Sequence, residues 1–205
     1  MSSRSAAMPP LIVVGASARA LTASAVRAGW SVHAADLFAD ADLRAAATVA
    51  VRVPAGPDLP WPDGLEACVR RFPVAPWCYA GALENHPELV DRLARDRPLA
   101  GNGGDRLRAV RDPAALARAV RGIGLGFPAT VADPAGVPVD GSWLVKPRHG
   151  AGGRGIAAWR GGPSASGDRI WQRLVRGRSC SAAFALDPRG ARLGGGRRQG
   201  GGRRG

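Results

Sequence analysis

Apolar and polar positions follow two different textures along this chain. In the first hundred residues, short apolar runs are separated by stretches with helical spacing. Leu11-Ile12-Val13-Val14 is an unbroken apolar run ending at Gly15, the profile of a parallel strand buried on both faces. Ser17 is placed to cap a helix running to about Ala28, and Gly29 sits where a C′ glycine belongs. Residues 31–35 predict a second strand, ending at Asp36, and residues 49–53 a third. Residues 65–71 predict a helix, and residues 74–79 a fourth strand weakened by Pro76. Asn85 or His86 caps the next helix, which has Pro87 in its first turn and Leu89, Val90 and Leu93 on one face. This alternation predicts a doubly wound α/β unit over residues 9–100.

Beyond residue 100 the pattern changes. Asp112-Pro113 opens a helix through Val120, closed by Gly122 and Gly124. The Pro/Gly-rich residues 133–141 read as a linker or hairpin. Strands are predicted at 143–145, where Lys146-Pro147 ends the run, and at 156–159, 170–175 and 179–186. A second, strand-rich unit over residues 101–187 is the natural reading.

Composition narrows the function classes. The 205 residues carry 29 Lys+Arg against 16 Asp+Glu, a net charge of +13, and Lys146 is the only lysine. No apolar run approaches the ~20 residues of a membrane span, and the first ten residues lack a secretory apolar stretch. Cys68, Cys78 and Cys180 have no metal or disulfide spacing and read as reduced thiols, so a cytoplasmic location is expected. The basic surplus suits an anionic partner, either nucleic acid or nucleotide phosphates.

Two glycine loops are candidates for phosphate chemistry. Gly15-Ala16-Ser17-Ala18-Arg19-Ala20 follows a strand and opens a helix, with Asp36 ending the next strand. That is the placement of a dinucleotide fingerprint, but the second and third glycines are missing, and a plain strand-to-helix turn is the better reading. The second loop is Lys146-Pro147-Arg148-His149-Gly150-Ala151-Gly152-Gly153-Arg154-Gly155-Ile156. Backbone N–H groups in such a turn can form an anion nest, and lysine and arginine supply the countercharge. The alternative is a hairpin tip with solvated arginines. A single lysine in an arginine-only chain favours a specific use for a compact ammonium.

At this loop the sequence resembles the ATP-grasp superfamily, nearest to its biotin-carboxylase-like carboxylate–amine ligases. The likeness runs in order through residues 13–36, the turn Tyr79-Ala80-Gly81-Ala82-Leu83-Glu84-Asn85-His86, and Leu99-Ala100-Gly101-Asn102. It continues through residues 111–128, the Lys146 loop, and Ile170-Trp171-Gln172-Arg173-Leu174-Val175. It implies an N-terminal Rossmann-like pre-ATP-grasp domain followed by a partial ATP-grasp lobe with a small antiparallel sheet. It implies ATP as the nucleotide, with Lys146 contacting the α-phosphate and the adenine edge. The loop residues Arg148, His149, Gly150, Gly152, Gly153, Arg154 and Gly155 would face the β- and γ-phosphates. Gln172, where many relatives have Glu, would face the adenine amino group, with Arg173, Leu174 and Val175 as the hinge. Glu84 would face the substrate side, although electrostatic stabilisation of the helix that follows is an equal alternative.

The resemblance also implies departures. Complete relatives use Mg²⁺, and no carboxylate follows Asp187 to supply its ligands. Asp112-Pro113 stands where many relatives have a second lysine. The expectation is therefore a C-terminally truncated ligase that binds ATP and is not competent alone. Its small-molecule partners would be a carboxylate and an amine, with no membrane partner. Residues 188–205 read as a disordered Gly/Arg-rich tail: six arginines and eight glycines lie from Arg189 to Gly205. Three readings of this tail stand: a frame slip in G/C-rich coding, a flexible terminus, or an RNA-binding segment. The last makes a nucleic-acid-binding protein the alternative function.

Overall fold

The computed structural model describes residues 10–150, 152–162, 167–187 and 190–198. The chain divides into two compact units, one of Met1–Phe127 with Arg148–Arg154, the other of Pro128–Pro147 with Gly155–Gly205. It is a mixed α/β fold with one parallel sheet and separate antiparallel sheets.

In the first unit, β1 (Leu11–Gly15), β2 (Val32–Asp36), β3 (Val49–Arg52) and β4 (Trp77–Tyr79) form a sheet of order β3-β2-β1-β4. All its pairings are parallel. The alternation of β1 explains the layering. Ile12 and Val14 join a core with Leu65, Val69, Trp77, Leu89, Val90 and Leu93. Leu11 and Val13 join a second core with Ala25, Val32, Ala34 and Leu43. One face of the sheet is therefore covered by α1 (Arg19–Arg27) and α2 (Ala41–Ala46), and the other by α3 (Leu65–Arg70) and α4 (Pro87–Asp96).

Several sequence expectations shift here. Ser17 makes no cap: α1 is preceded by Ala18, whose N–H donates to Asp36 Oδ2 at 2.6 Å. β4 begins only at Trp77, because Val74 stands in solvent and the ladder starts beyond Pro76. The helix α5 (Gly104–Arg111) was not anticipated. Its sequence is strongly polar, with only Gly104 and Leu107 buried, so no apolar stripe announces it. It is set by tertiary contacts: Gly104 N–H donates to Asp91 Oδ1 at 2.9 Å, and Arg108 pairs with Asp91 and Glu88 of α4. A Cβ at Gly104 would run into the Asp91 carboxylate, so that side chain would have to swing away and give up its bond to the Gly104 N–H. α6 (Pro113–Gly122) follows, with the Asp112 carboxylate accepting from Ala114 N–H at 2.8 Å. Both helices group with the first unit, so the unit boundary falls at Phe127/Pro128 instead of residue 100.

In the second unit, β5 (Thr130–Val131), β6 (Trp143–Pro147), β7 (Ala157–Ala158) and β8 (Arg169–Arg173) form an antiparallel sheet of order β5-β8-β6-β7. Its core is small: Val145, Trp159 and Trp171 are buried, and the two tryptophan rings meet edge to face with centroids 5.6 Å apart. Lys146 and Pro147 lie inside β6, pairing with Ile170 and Arg169, so the strand runs past the expected stop. β9 (Cys180–Asp187) pairs antiparallel with β10 (Gly190–Arg198). Residues 190–198 are therefore a strand and not the disordered tail expected from their composition. Ladder pairing with β9 supplies the backbone partners that glycine-rich sequence does not ask for locally. The rest of the expected tail, residues 188–189 and 199–205, lies outside the described residues.

Candidate nucleotide and substrate sites

The alternation of β6 and β8 builds the first constellation. Val145 and Trp171 stand opposite each other and turn into the core, which puts Leu144, Lys146, Ile170 and Gln172 on the other face. Lys146 Nζ donates to Gln172 Oε1 at 2.5 Å. Gln172 Nε2 donates to Thr130 Oγ1, directly across β5, at 3.0 Å, and that hydroxyl donates to Pro128 O at 3.0 Å. An ammonium can only donate, so the lysine fixes which end of the amide is oxygen. The glutamine is neutral, so this contact leaves the lysine charge uncompensated. Lys146 is half-buried and, among the described residues, makes no ion pair. The site can attract an anion beside a polar amide of fixed orientation. Thr130 was missed from sequence, where a lone threonine after a proline carries no signal.

The expected hinge is only partly free. Arg173 N–H donates to Ala129 O and Leu174 N–H to Ser142 O, each at 2.8 Å. Both amides serve the sheet and its edge. Leu174 and Val175 lie beyond β8 with exposed side chains.

The second constellation belongs to the first unit. Residues 148–154 pass the turn that leads into α4, and Asn85 Nδ2 donates to His149 O at 2.9 Å. Arg111, the last residue of α5, donates from Nη1 to Gly150 O at 3.2 Å and pairs through Nη2 with Glu84 Oε1 at 3.5 Å. Together these residues border a cleft of about 340 Å³, lined also by Pro87, Leu107, Arg108 and Arg148. Asn85 Oδ1 in that lining is buried and unpartnered. Nearby, Tyr79 OH donates to Asn102 O at 2.7 Å, and burial, with Glu84 adding to it, pushes the phenol above its usual range.

Of the predicted loop residues, Arg148 is half-buried, whereas His149, Gly152, Gly153, Arg154 and Gly155 are exposed; Ala151 lies outside the described residues. Gly152, Gly153 and Gly155 have φ of +61°, +75° and +73°. A Cβ at Gly152 or Gly153 would meet nothing within 4 Å, so glycine is needed there for backbone conformation and not for space. Lys146 and Gln172 thus come together in one unit, and Glu84 with Arg148, His149 and Gly150 in the other.

Asp36 serves the architecture of the first unit. Its fully buried carboxylate accepts from Ala18, Phe38 and Ala39 N–H at 2.6–2.7 Å, so its oxygens tie β2 to the start of α1. They are not presented to a ribose. Among the described residues, no group of three His, Cys, Asp or Glu side chains lies together to hold a metal, and no helix is long and apolar enough to cross a membrane.

No protein-family model and no curated protein matches the chain. Solved structures do. N5-carboxyaminoimidazole synthetase from Staphylococcus aureus complexed with ADP superposes with a TM-score of 0.66 at 12% identity, over 91% of this chain and 53% of that one. The biotin carboxylase–β,γ-ATP complex from Campylobacter jejuni gives 0.62 at 14% identity, over 90% and 50%. A putative ATP-grasp superfamily protein from Archaeoglobus fulgidus gives 0.58 at 13% identity, over 93% and 61%. The chain has the ATP-grasp fold and spans about half the length of the first two proteins.

Proposed function

We propose that this chain, with its ATP-grasp fold, is the nucleotide-binding portion of an ATP-dependent carboxylate–amine ligase that proceeds through an acyl-phosphate. The observation that carries this reading is the Lys146–Gln172 pair on adjacent strands, with a run of left-handed glycines directly after β6. Lys146 would meet the α-phosphate, and Gln172 the adenine amino group through its remaining acceptor capacity. Backbone N–H groups around Gly150, Gly152, Gly153 and Gly155, with Arg148, His149 and Arg154, would hold the outer phosphates. Arg173, Leu174 and Val175 would border the base, using backbone groups that the sheet leaves over.

The cleft beside Glu84 is assigned to the small-molecule substrates, a carboxylate and an amine. Arg148 can meet an anion, and the unpartnered Asn85 Oδ1 needs a donor such as an amine. No residue of this chain is assigned to Mg²⁺. When bound, that ion would neutralise phosphate charge for transfer. Without an assigned metal site, residues 1–205 are expected to bind nucleotide and not to turn it over. A cytoplasmic setting accords with three free thiols.

Calorimetric titration with ATP tests this reading. Lys146→Ala should weaken binding by about tenfold or more, the scale of one lost charge-assisted contact. Deletion of residues 199–205 should leave binding unchanged. Equal ATP affinity in the wild type and Lys146→Ala would reject the assignment. RNA binding lost on that deletion, with no ATP binding at all, would favour the nucleic-acid alternative.

A further inference from the structure

We propose that Asn85 and Arg111 are positioning residues that set the start of the glycine loop for phosphate binding, by holding the adjacent His149 and Gly150 carbonyls. This deepens the nucleotide reading and rests on it for its functional consequence.

The two hydrogen bonds come from separate elements and converge on consecutive backbone oxygens. Asn85 Nδ2 reaches His149 O at 2.9 Å, and Arg111 Nη1 reaches Gly150 O at 3.2 Å. Holding two successive carbonyls orients both peptide planes around Gly150, where a glycine backbone otherwise has most freedom. Each donor is itself constrained. Asn85 stands one residue before the N-cap of α4, and its amide can face His149 O in only one orientation, because the reverse would oppose two oxygens. Arg111 ends α5 and is steadied by Glu84 Oε1 at 3.5 Å. Nothing local in residues 148–150 supplies these restraints. The donors lie 64 and 39 residues away in sequence.

A loop whose first carbonyls are already oriented loses less conformational freedom when phosphate binds. The two donors therefore act on affinity without touching the nucleotide. Asn85→Asp keeps the side-chain size but replaces the donor with a carboxylate facing a carbonyl. Arg111→Ala removes the second donor, while Arg111→Lys retains a cationic donor.

Limited trypsin digestion of the full chain, read by mass spectrometry alongside ATP titration, tests the proposal. Asn85→Asp and Arg111→Ala should speed cleavage after Arg148 and Arg154 severalfold, with cleavage at arginines elsewhere and Tm unchanged. Both should weaken ATP binding about three- to tenfold, and Arg111→Lys should recover part of each effect. Unchanged cleavage after Arg148 and Arg154 in both variants overturns the proposal, as does uniformly faster cleavage at all sites. The cleavage readout needs no nucleotide. Selective loss of loop protection in a chain that binds no ATP would sustain the restraint and reject the ATP reading instead.

Discussion

Lys146 Nζ lies 2.5 Å from Gln172 Oε1, although the two residues are not opposite each other in the ladder. Lys146 pairs with Ile170 and Gln172 with Leu144, so the contact is a diagonal one across the half-buried face of β6 and β8, opposite Val145 and Trp171. The amide is held at its other end by Thr130. A glutamine pinned this way offers a nucleobase one acceptor and one donor in fixed directions.

Under the proposed assignment of Gln172 to the adenine, Gln172→Leu removes both groups and leaves the lysine charge in place. Affinity for ATP is expected to fall about tenfold, while affinity for inorganic triphosphate stays the same or rises slightly. Parallel titrations with the two ligands decide the matter. An equal loss for both would mean that Gln172 acts only through Lys146 and not on the base.

Asp36 makes a purely architectural prediction. Asp36→Ala leaves three backbone donors without their acceptor, two of them buried and that of Phe38 part-buried, and each buried loss costs about 1–3 kcal/mol. Urea unfolding should show a stability loss of at least about 2 kcal/mol. NAD⁺ should have no effect on the Tm of the unmodified chain. A stability change below about 1 kcal/mol would show that the carboxylate does not clamp β2 to α1.

Two groups give stability the same dependence on acidity. Arg70 first, and then Arg92, hydrogen-bond Glu66 and hold its carboxyl below its usual value of 4.5. Burial is the main influence on His86 and holds it below its usual 6.5. In both cases the unfolded chain binds the proton more readily, so lowering the pH favours unfolding. The His86 contribution is lost as pH falls below about 6.5, and the Glu66 contribution as it falls below about 4.5. Urea midpoints measured from pH 8 to pH 3 should decline in those two windows. His86→Asn, which puts a residue suited to a helix N-cap in that position, should flatten the first, and Glu66→Gln the second. A midpoint that rises on acidification through pH 6.5 would contradict the sign for His86.

Much of the candidate site was legible because its residues follow local chemistry. A lysine near the end of a strand and the glycines that follow it stand out in sequence as a candidate phosphate loop. Gln172 lies on the strand predicted at 170–175. Glu84 and Asn85 sit at a turn that Pro87 announces. Thr130 and Arg111 gave no such mark, since a threonine on a two-residue strand and an arginine ending a polar helix acquire their roles only from the groups packed beside them.

By itself, the sequence determined the order of the four strands and of α1, α3, α4 and α6 in the first unit, because continuous apolar runs such as residues 11–14 and one-sided stripes such as Leu89, Val90 and Leu93 have few other ways to be buried. The short α2 and the polar α5 carried no such mark. It also determined which loop is rich in cations and glycine. Only the tertiary structure decided that Asp36 is a buried clamp, since its three donors come from Ala18 and from the turn after β2. Only the tertiary structure turned residues 190–198 into a strand, because a ladder partner can impose extension on residues whose own preferences do not. And it alone decided that Asn85 and Arg111 meet the glycine loop. Hydrogen bonds across 64 and 39 residues exist once the chain has folded, and no local pattern encodes them.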